Sequence, residues 1–315
     1  MICSPLLCPE KISVAKVLSN GLTIEIEEFG NPSDPPVLLI MGLAAQLTYW
    51  PDDFIQSIVD KGFYVVAFDN RDIGLSEKPG PERASSPLVV ALLGTVGLAG
   101  LLAPYKLTDM SADTLGILDA LNIDRAHVIG ASMGGVIGQI LCAEHPRRIR
   151  SFTAIMSSTN NPRLPRAHPR LAMQVLTARK RSSTRDELIN STMKIWSMIG
   201  TRDGGRDPDE FRQMIAASID RNSSPTGIRR QIAAIIATRD LRDWTRRVTA
   251  PSLVIHGSDD PLVPLPNGLD IAAEIENARM EVIEGMGHDL APRHMGIIVD
   301  RIVEHLHSAD NGIAA

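Results

Sequence analysis

The sequence has few cysteines and little net charge. Three cysteines in 315 residues, with no Cys-x-x-Cys or Cys/His ligand spacing, exclude a disulfide framework and give no sign of a metal site. The 32 basic residues stand against 37 acidic ones, a net charge of −5, which disfavours a nucleic-acid partner because phosphates attract basic proteins. With 44% hydrophobic and 22% charged residues, the composition is that of a folded globular chain rather than a disordered or fibrous one.

Long hydrophobic runs are also lacking. The longest, residues 88–103, has sixteen residues and is interrupted by three glycines, whereas a membrane-spanning helix needs about 20. We therefore expect no stable membrane insertion. The run predicts a loop or short helices packed on the protein, with a mobile apolar flap or an interfacial contact as the alternative. The N-terminus has no basic region and too short an apolar stretch for a signal peptide, so the expected location is cytoplasmic.

Apolar strands alternate with helices in most of the chain. Strands are predicted at residues 13–18, 22–28, 37–41, 63–68, 127–130, 151–156, 252–256 and 279–283. Helices are predicted at residues 50–60, 109–121, 133–144, 269–276 and 294–307, and four more at 169–178, 184–199, 208–220 and 226–239. This alternation predicts an α/β fold with a mostly parallel central sheet. It divides the chain into a core over residues 1–156 and 250–315 and an all-helical insertion, residues 157–249, after the sixth strand.

A G-x-S-x-G motif at residues 130–134 lies between a predicted strand and a predicted helix. A serine on such a tight turn is presented at the carboxyl edge of a parallel sheet, and small neighbours are needed because the backbones approach closely. We predict Ser132 as a nucleophile. The backbone N–H of Met133 is then one donor to a developing oxyanion, and the second is the N–H of Leu43, after the strand at 37–41.

A serine hydroxyl is a poor nucleophile and needs a general base. His288 lies in a loop just after the last predicted strand and can reach back over the sheet edge, whereas His127 and His256 lie on strands and are interpreted as structural. The remaining histidines are interpreted as surface positions: His145, His168, His294, His305 and His307. Two carboxylates that could orient the imidazole, Asp259 and Asp260, follow the strand at 252–256.

Taken together, these motifs resemble the α/β-hydrolase family over nearly the whole chain. The matching segments are Met41-Gly42-Leu43, residues 69–76, residues 130–135, Gly257-x-x-Asp260-x-x-Val263-Pro264 and Gly285-x-Gly287-His288. The family's G-x-x-D spacing from Gly257 implies that Asp260 is the acid of a Ser-His-Asp triad. The resemblance also implies that the insertion is a cap over the active site. The branches that look most similar are aclacinomycin-type methylesterases and cofactor-free haloperoxidase-like esterases.

Two positions depart from the family's pattern. Met41-Gly42 replaces the usual His-Gly, which keeps the backbone donor of Leu43 but loses a polar supporting group. Asp72 occupies the glycine position of the usual Asp-x-Arg-Gly. That motif is mostly a structural turn, so we expect little functional consequence from Asp72.

The resemblance implies a carboxylic ester hydrolase that forms an acyl-enzyme on small to medium, largely apolar esters. A C–C bond hydrolase, an acyltransferase and a non-catalytic ligand-binding relative are the alternatives. Trp196, Phe211 and Met214 of the insertion are predicted to contact the substrate. No cofactor and no metal are implied, and the sequence does not predict the oligomeric state.

The insertion is basic although the whole chain is acidic. Residues 157–249 carry sixteen arginines and two lysines against nine acidic residues, a net charge of +9, and the rest of the chain carries −14. We expect electrostatic docking of the insertion on the core. The alternative is that some of these arginines steer or bind an anionic group of the substrate.

Overall fold

The structure, a computed structural model, describes residues 11–81, 85–177 and 184–312. The strands are β1 Lys11–Ser19, β2 Leu22–Phe29, β3 Pro36–Ile40, β4 Tyr64–Phe68, β5 Ala126–Ala131, β6 Ile149–Ile155, β7 Ser252–Gly257 and β8 Arg279–Ile283. The helices are α1 Asp52–Val59, α2 Pro87–Thr95, α3 Leu107–Ala120, α4 Met133–Glu144, α5 Pro169–Thr177, α6 Arg185–Ile199, α7 Pro208–Arg221, α8 Pro225–Ala237, α9 Arg242–Thr245, α10 Pro266–Glu274 and α11 Pro292–Asp310.

All eight strands form one sheet in the order β1-β2-β4-β3-β5-β6-β7-β8. β2 is antiparallel to both of its neighbours, and every other pair of adjacent strands is parallel. The prediction of an α/β fold with a mostly parallel sheet is therefore confirmed. Parallel strands are covered on both faces, which is why β3, β4 and β5 consist of almost uninterrupted apolar residues.

Helices cover the two faces of the sheet and divide the core into two layers. Because side chains alternate along a strand, Leu38 and Ile40 pack with α3 and α4, whereas Val37 and Leu39 pack with α1 and α11. Two histidines that were predicted to be surface positions, His294 and His305, are buried on α11. That prediction was wrong for both, since each lies on the apolar stripe by which α11 packs against the sheet.

The apolar run at 88–103 forms most of α2 and a short 3₁₀ turn, Ala99–Leu101. This agrees with the prediction of short helices packed on the protein. Val90 and Ala99 are buried against Ala233 of α8. On the outer side Leu92 and Leu101 are 69% and 77% exposed. Within the described residues, no helix combines the length and the apolar character that a membrane span requires.

The insertion lies between β6 and β7, and its described residues form α5 to α9 without a strand. Arginines of the insertion form ion pairs with acidic residues of the core. Asp69 accepts from Arg221 of α7 at 2.5 Å, and Asp72 accepts from Arg230 of α8 at 2.5 Å. Two further pairs of this kind join Arg206 to Asp289, at 3.4 Å, and Arg246 to Glu274, at 2.5 Å.

The Arg230–Asp72 pair is the most deeply buried of these contacts. Arg230 is 4% exposed, and its Nε and Nη2 atoms donate to the two carboxylate oxygens of Asp72, which also accepts from the hydroxyl of Tyr105. The hydrogen bonds to Asp72 raise the pKa of Arg230, so the guanidinium stays charged. A bidentate buried pair of this kind fixes α8 on the turn after β4 in one orientation.

We expect Arg230→Met to lower the free energy of unfolding by about 3 kcal/mol or more, because it leaves the Asp72 carboxylate buried without its cation. Arg185→Met is the matched control, since Arg185 pairs with Asp220 on the exposed surface. Urea unfolding measures both variants. Equal stability of Arg230→Met and Arg185→Met would contradict a docking role for the buried pair.

Candidate active site

Ser132 lies on the turn between β5 and α4 and adopts a backbone conformation that is strained for a residue with a side chain. Its φ angle is +54°. The turn is held by the Ser132 N–H, which donates to the carbonyl of Ile155 at 2.8 Å, and by the Ser157 hydroxyl, which donates to the Ser132 carbonyl at 2.8 Å. The serine hydroxyl thus stands at the carboxyl edge of the sheet, at the first turn of α4.

Glycines are required at this turn because of close backbone contacts. A Cβ atom on Gly134 would lie 1.9 Å from the carbonyl oxygen of Ile40, and one on Gly130 would lie 2.4 Å from the carbonyl oxygen of Gly134. β3, β5 and α4 therefore meet at van der Waals distance around Ser132. The spacing of the G-x-S-x-G motif is a packing requirement of the three elements.

His288 stands between Ser132 and Asp260. Its Nε2 atom lies 3.0 Å from Ser132 Oγ, and its Nδ1 atom lies 2.6 Å from Asp260 Oδ2. The fold thus brings His288 next to Asp260, which precedes it by 28 positions, and next to Ser132, which precedes it by 156 positions. Since an ionised carboxylate only accepts, Nδ1 carries the hydrogen toward Asp260 and Nε2 is free to accept from the serine hydroxyl.

The structure separates the two candidate acids. Asp260 is buried, and its Oδ1 atom accepts from the N–H groups of Leu262 and Val263 at 2.9 and 2.8 Å. Asp259 is exposed and accepts from the hydroxyl of Ser258. Of the two carboxylates, Asp260 is the one that contacts His288.

Buried His256 lies beside Asp260, with its Nε2 atom 3.7 Å from Asp260 Oδ2. Burial lowers the pKa of His256, so its ring is neutral, and its Nε2 atom donates to the carbonyl of Val263 at 2.7 Å. This contact orders the loop that carries Asp260. His127, near the start of β5, is likewise buried and contacts the hydroxyl of Ser151 at 2.8 Å.

The insertion also holds the backbone of His288. The His288 N–H donates to the carbonyl of Ile199 at the end of α6, at 2.7 Å, and the Gly287 N–H donates to the hydroxyl of Thr201 at 3.0 Å. Docking of α6 and placement of the imidazole are therefore coupled. Sequence reasoning assigned no such role to Ile199 or Thr201.

Leu43 and Met133, the two predicted oxyanion donors, line the same cavity as Ser132. Neither backbone N–H donates to another described residue. The loop of Leu43 is held by two side chains that sequence reasoning missed: Asn70 donates to the carbonyl of Met41 at 2.9 Å, and Gln231 accepts from the N–H of Ala44 at 3.1 Å. Both side chains are buried, which makes them positioning groups for this loop.

Ser132 and His288 open into an apolar cavity of about 350 Å³. The insertion contributes a large part of its wall, as two helical stripes of residues: Thr192, Ile195, Trp196 and Ile199 of α6 and Ile228, Ile232 and Ile235 of α8. Met41, Met133 and Met156 of the core contribute further apolar surface. No lysine, arginine, aspartate or glutamate side chain lines the described part of this cavity.

The three predicted substrate contacts differ in position. Trp196 lines the cavity and stacks on Tyr49 with ring centroids 5.8 Å apart. Phe211 and Met214 are not part of the wall. Phe211 packs edge-on against Trp196, with ring centroids 5.8 Å apart, and the Arg206 guanidinium lies over the Phe211 ring. Phe211 therefore contacts Trp196 and not the cavity.

Within residues 11–81, 85–177 and 184–312, no group of three or more histidine, cysteine or acidic side chains is arranged to hold a metal ion. Cys142 is buried, and burial raises the pKa of its thiol, which makes it unreactive.

Gly134→Ala should lower the free energy of unfolding by about 2–3 kcal/mol, because the new methyl group would collide with the Ile40 carbonyl. Gly296→Ala is the control: it is the same change on α11, where nothing lies within 4 Å of the added Cβ, and it should be neutral or slightly stabilising. Urea unfolding of the two variants tests the close approach, and a Gly134→Ala protein as stable as Gly296→Ala would refute it.

Comparison with known proteins agrees with this architecture. A family model described as alpha/beta hydrolase fold matches residues 35–292. The chain is 27% identical to rhodomycin D methylesterase DnrP of Streptomyces peucetius over 293 residues, which cover 87% of this chain and 91% of that protein.

Two solved structures share the fold. The esterase RhEst1 from Rhodococcus sp. ECU1013 superposes with a TM-score of 0.74 at 18% identity and covers 95% of this chain and 100% of that one. The enol-lactonase from Burkholderia xenovorans LB400 superposes with a TM-score of 0.72 at 23% identity and covers 93% and 100%. The chain therefore belongs to the alpha/beta hydrolase fold family.

Proposed function

We propose that the protein is a carboxylic ester hydrolase that acts on small to medium, largely apolar esters. The observation that carries this proposal is the hydrogen-bonded series Ser132 Oγ, His288 and Asp260 at the wall of an apolar cavity. The similarity to a rhodomycin D methylesterase over 87% of the chain supports ester cleavage as the reaction.

In the proposed reaction His288 Nε2 accepts the proton of Ser132 as the serine oxygen attacks the ester carbonyl. Asp260 keeps the imidazole in the required tautomer and stabilises the imidazolium. The N–H groups of Leu43 and Met133 receive the developing oxyanion, and Met133 adds the positive end of the α4 dipole. The imidazolium then gives its proton to the leaving alcohol, and water, activated by His288, hydrolyses the acyl-enzyme.

The insertion acts in this proposal as a cap that selects the substrate. Its isoleucine-rich stripes on α6 and α8 exclude water from the cavity and favour apolar acyl or ring groups. A volume of about 350 Å³ lies at the lower end of the range for small-molecule sites, which limits the part of the substrate that can be enclosed. The carbonyl of Ile199, at the end of α6, also holds the backbone N–H of His288.

A fluorophosphonate probe should label wild-type protein at Ser132 and should not label Ser132→Ala. Wild-type protein should hydrolyse p-nitrophenyl esters of short and medium chain length and methyl esters of cyclic acids, and Ser132→Ala should lose this activity. Esterase activity that survives in Ser132→Ala would end the proposal. Turnover of vinylogous diketones instead of esters would indicate a C–C bond hydrolase of the same fold.

Replacement of the two neighbouring aspartates separates their roles. Asp260→Asn should lower kcat by about 10³- to 10⁴-fold, because the amide no longer holds the imidazole tautomer or stabilises its cation. Asp259→Asn should leave kcat within about twofold, since the exposed Asp259 does not contact His288. The measurement is kcat on one p-nitrophenyl ester, and a comparable loss in both variants would contradict the assignment of Asp260.

A further inference from the structure

A second, larger chamber adjoins the cavity of Ser132. It has a volume of about 620 Å³ and lies between α2, the end of α8, the chain after β6 and the loop of Asp260. Five residues line both spaces: Ser158, Asn160, Ile235, Leu262 and Val263. The two spaces therefore lie next to each other along these five residues.

Hydrogen bonds fix the positions of Ser158 and Asn160, two of the residues that line both spaces. The Ser158 hydroxyl donates to the Asn267 side chain at 2.8 Å and accepts from the Asn160 N–H at 2.8 Å. The Asn160 side chain donates to the carbonyl of Thr238 at 3.1 Å. Polar groups thus begin where the apolar cavity ends, so the chamber differs from the cavity in chemistry as well as in size.

Two arginines of the insertion, Arg166 and Arg239, line this chamber. Neither guanidinium has a hydrogen bond or an ion pair with any residue that the structure describes. This distinguishes them from Arg206, Arg221 and Arg230, whose charges are taken up by acidic residues of the core.

The chamber's acidic residue does not neutralise these arginines. Within the described wall Asp240 is the one carboxylate, and it is engaged by its neighbour Arg242 through Nη2 at 2.6 Å and Nε at 3.0 Å. The guanidinium of Arg239 lies against the backbone of Gly97, where a Cβ would come within 2.9 Å of it. The chamber wall therefore carries two guanidinium groups that form no ion pair with a described residue.

We propose that the chamber is an anion subsite, in which Arg166 and Arg239 bind a carboxylate or similar acidic group on the part of the substrate that lies outside the apolar cavity. This inference rests on the proposed esterase function. It narrows the substrate class to esters with an apolar group at one end and an anionic group at the other. Guanidinium groups suit this task because their planar N–H pairs match a carboxylate.

Matched ester pairs test the proposal on both sides of the ester bond. p-Nitrophenyl valerate and the p-nitrophenyl monoester of glutarate differ by a carboxylate on the acyl group, and phenyl butyrate and p-butyryloxybenzoate differ by one on the alcohol. Wild-type protein should prefer the anionic member of one pair, and this preference should decrease with ionic strength. Arg239→Gln and Arg166→Gln should each reduce the ratio of the two kcat/KM values by about fivefold, and the double variant should reduce it further.

Arg202→Gln is the matched control, because it removes the same charge from an exposed residue of the insertion outside the chamber. It should leave the ratio unchanged. Equal ratios in wild type and the double variant, or an equal change in Arg202→Gln, would overturn the anion subsite while leaving the esterase function intact.

Should the protein hydrolyse none of these esters, the proposed function fails, and calorimetric titration of Ser132→Ala with glutarate decides the subsite separately. Binding that weakens when Arg166 and Arg239 are also replaced would support the subsite. Absence of binding, or binding that does not respond to these changes, would reject it.

Discussion

The turn after β4 connects the insertion to the loop of Leu43 in the core. Asp69 accepts from the N–H groups of Leu47 and Leu75 and from Arg221 of α7. One residue further, Asn70 holds the carbonyl of Met41, and the carbonyl of Arg71 accepts from Gln231 of α8, which in turn accepts from the N–H of Ala44. The position of the Leu43 N–H therefore depends on the docking of two helices that follow it by more than 160 residues.

Asp72 shows how a departure from a family's pattern acquires a role of its own. Its φ angle is +76°, a conformation that favours glycine, so an aspartate there is maintained at a conformational cost. The sequence predicts little functional consequence of this substitution, and the structure adds the partners of the Asp72 side chain. In a buried site the carboxylate accepts from Arg230 and Tyr105, and the bidentate contact offsets the strain of the turn while it orients α8.

Much of the fold and the meeting of Ser132, His288 and Asp260 were predictable because both depend on local rules. Continuous apolar strands, a glycine-flanked serine and loops that follow strands are visible in the sequence, and strand ends of a parallel sheet meet at one edge. The cavity wall was less predictable, because residue type guided the choice of Phe211 and Met214. The helical spacing of Thr192, Ile195, Trp196 and Ile199 was the better signal, since it places them on one face of α6.

The burial of His294 and His305 was missed for the same reason, because residue type and not position on the helix guided the prediction. His305 lies three residues after Ile302 on α11, within the stripe that packs on the sheet, and its Nε2 atom contacts the carbonyl of Phe152 at 3.2 Å. A polar residue type suggested exposure, but the position on the helix decided burial. The long-range contacts of Asn70, Gln231 and Ile199 could not be inferred from spacing at all, because they depend on how the insertion is placed against the core.

The net charge of +9 on the insertion combines two populations of arginine that the sequence cannot separate. Arg221 and Arg230 are largely buried and face carboxylates of the core, so their interactions are little screened by salt. Arg166 and Arg239 are exposed to solvent at the chamber, where screening is strong. Ionic strength therefore acts more strongly on the second population than on the first. Salt should weaken the attraction of an anion well before it loosens the insertion from the core.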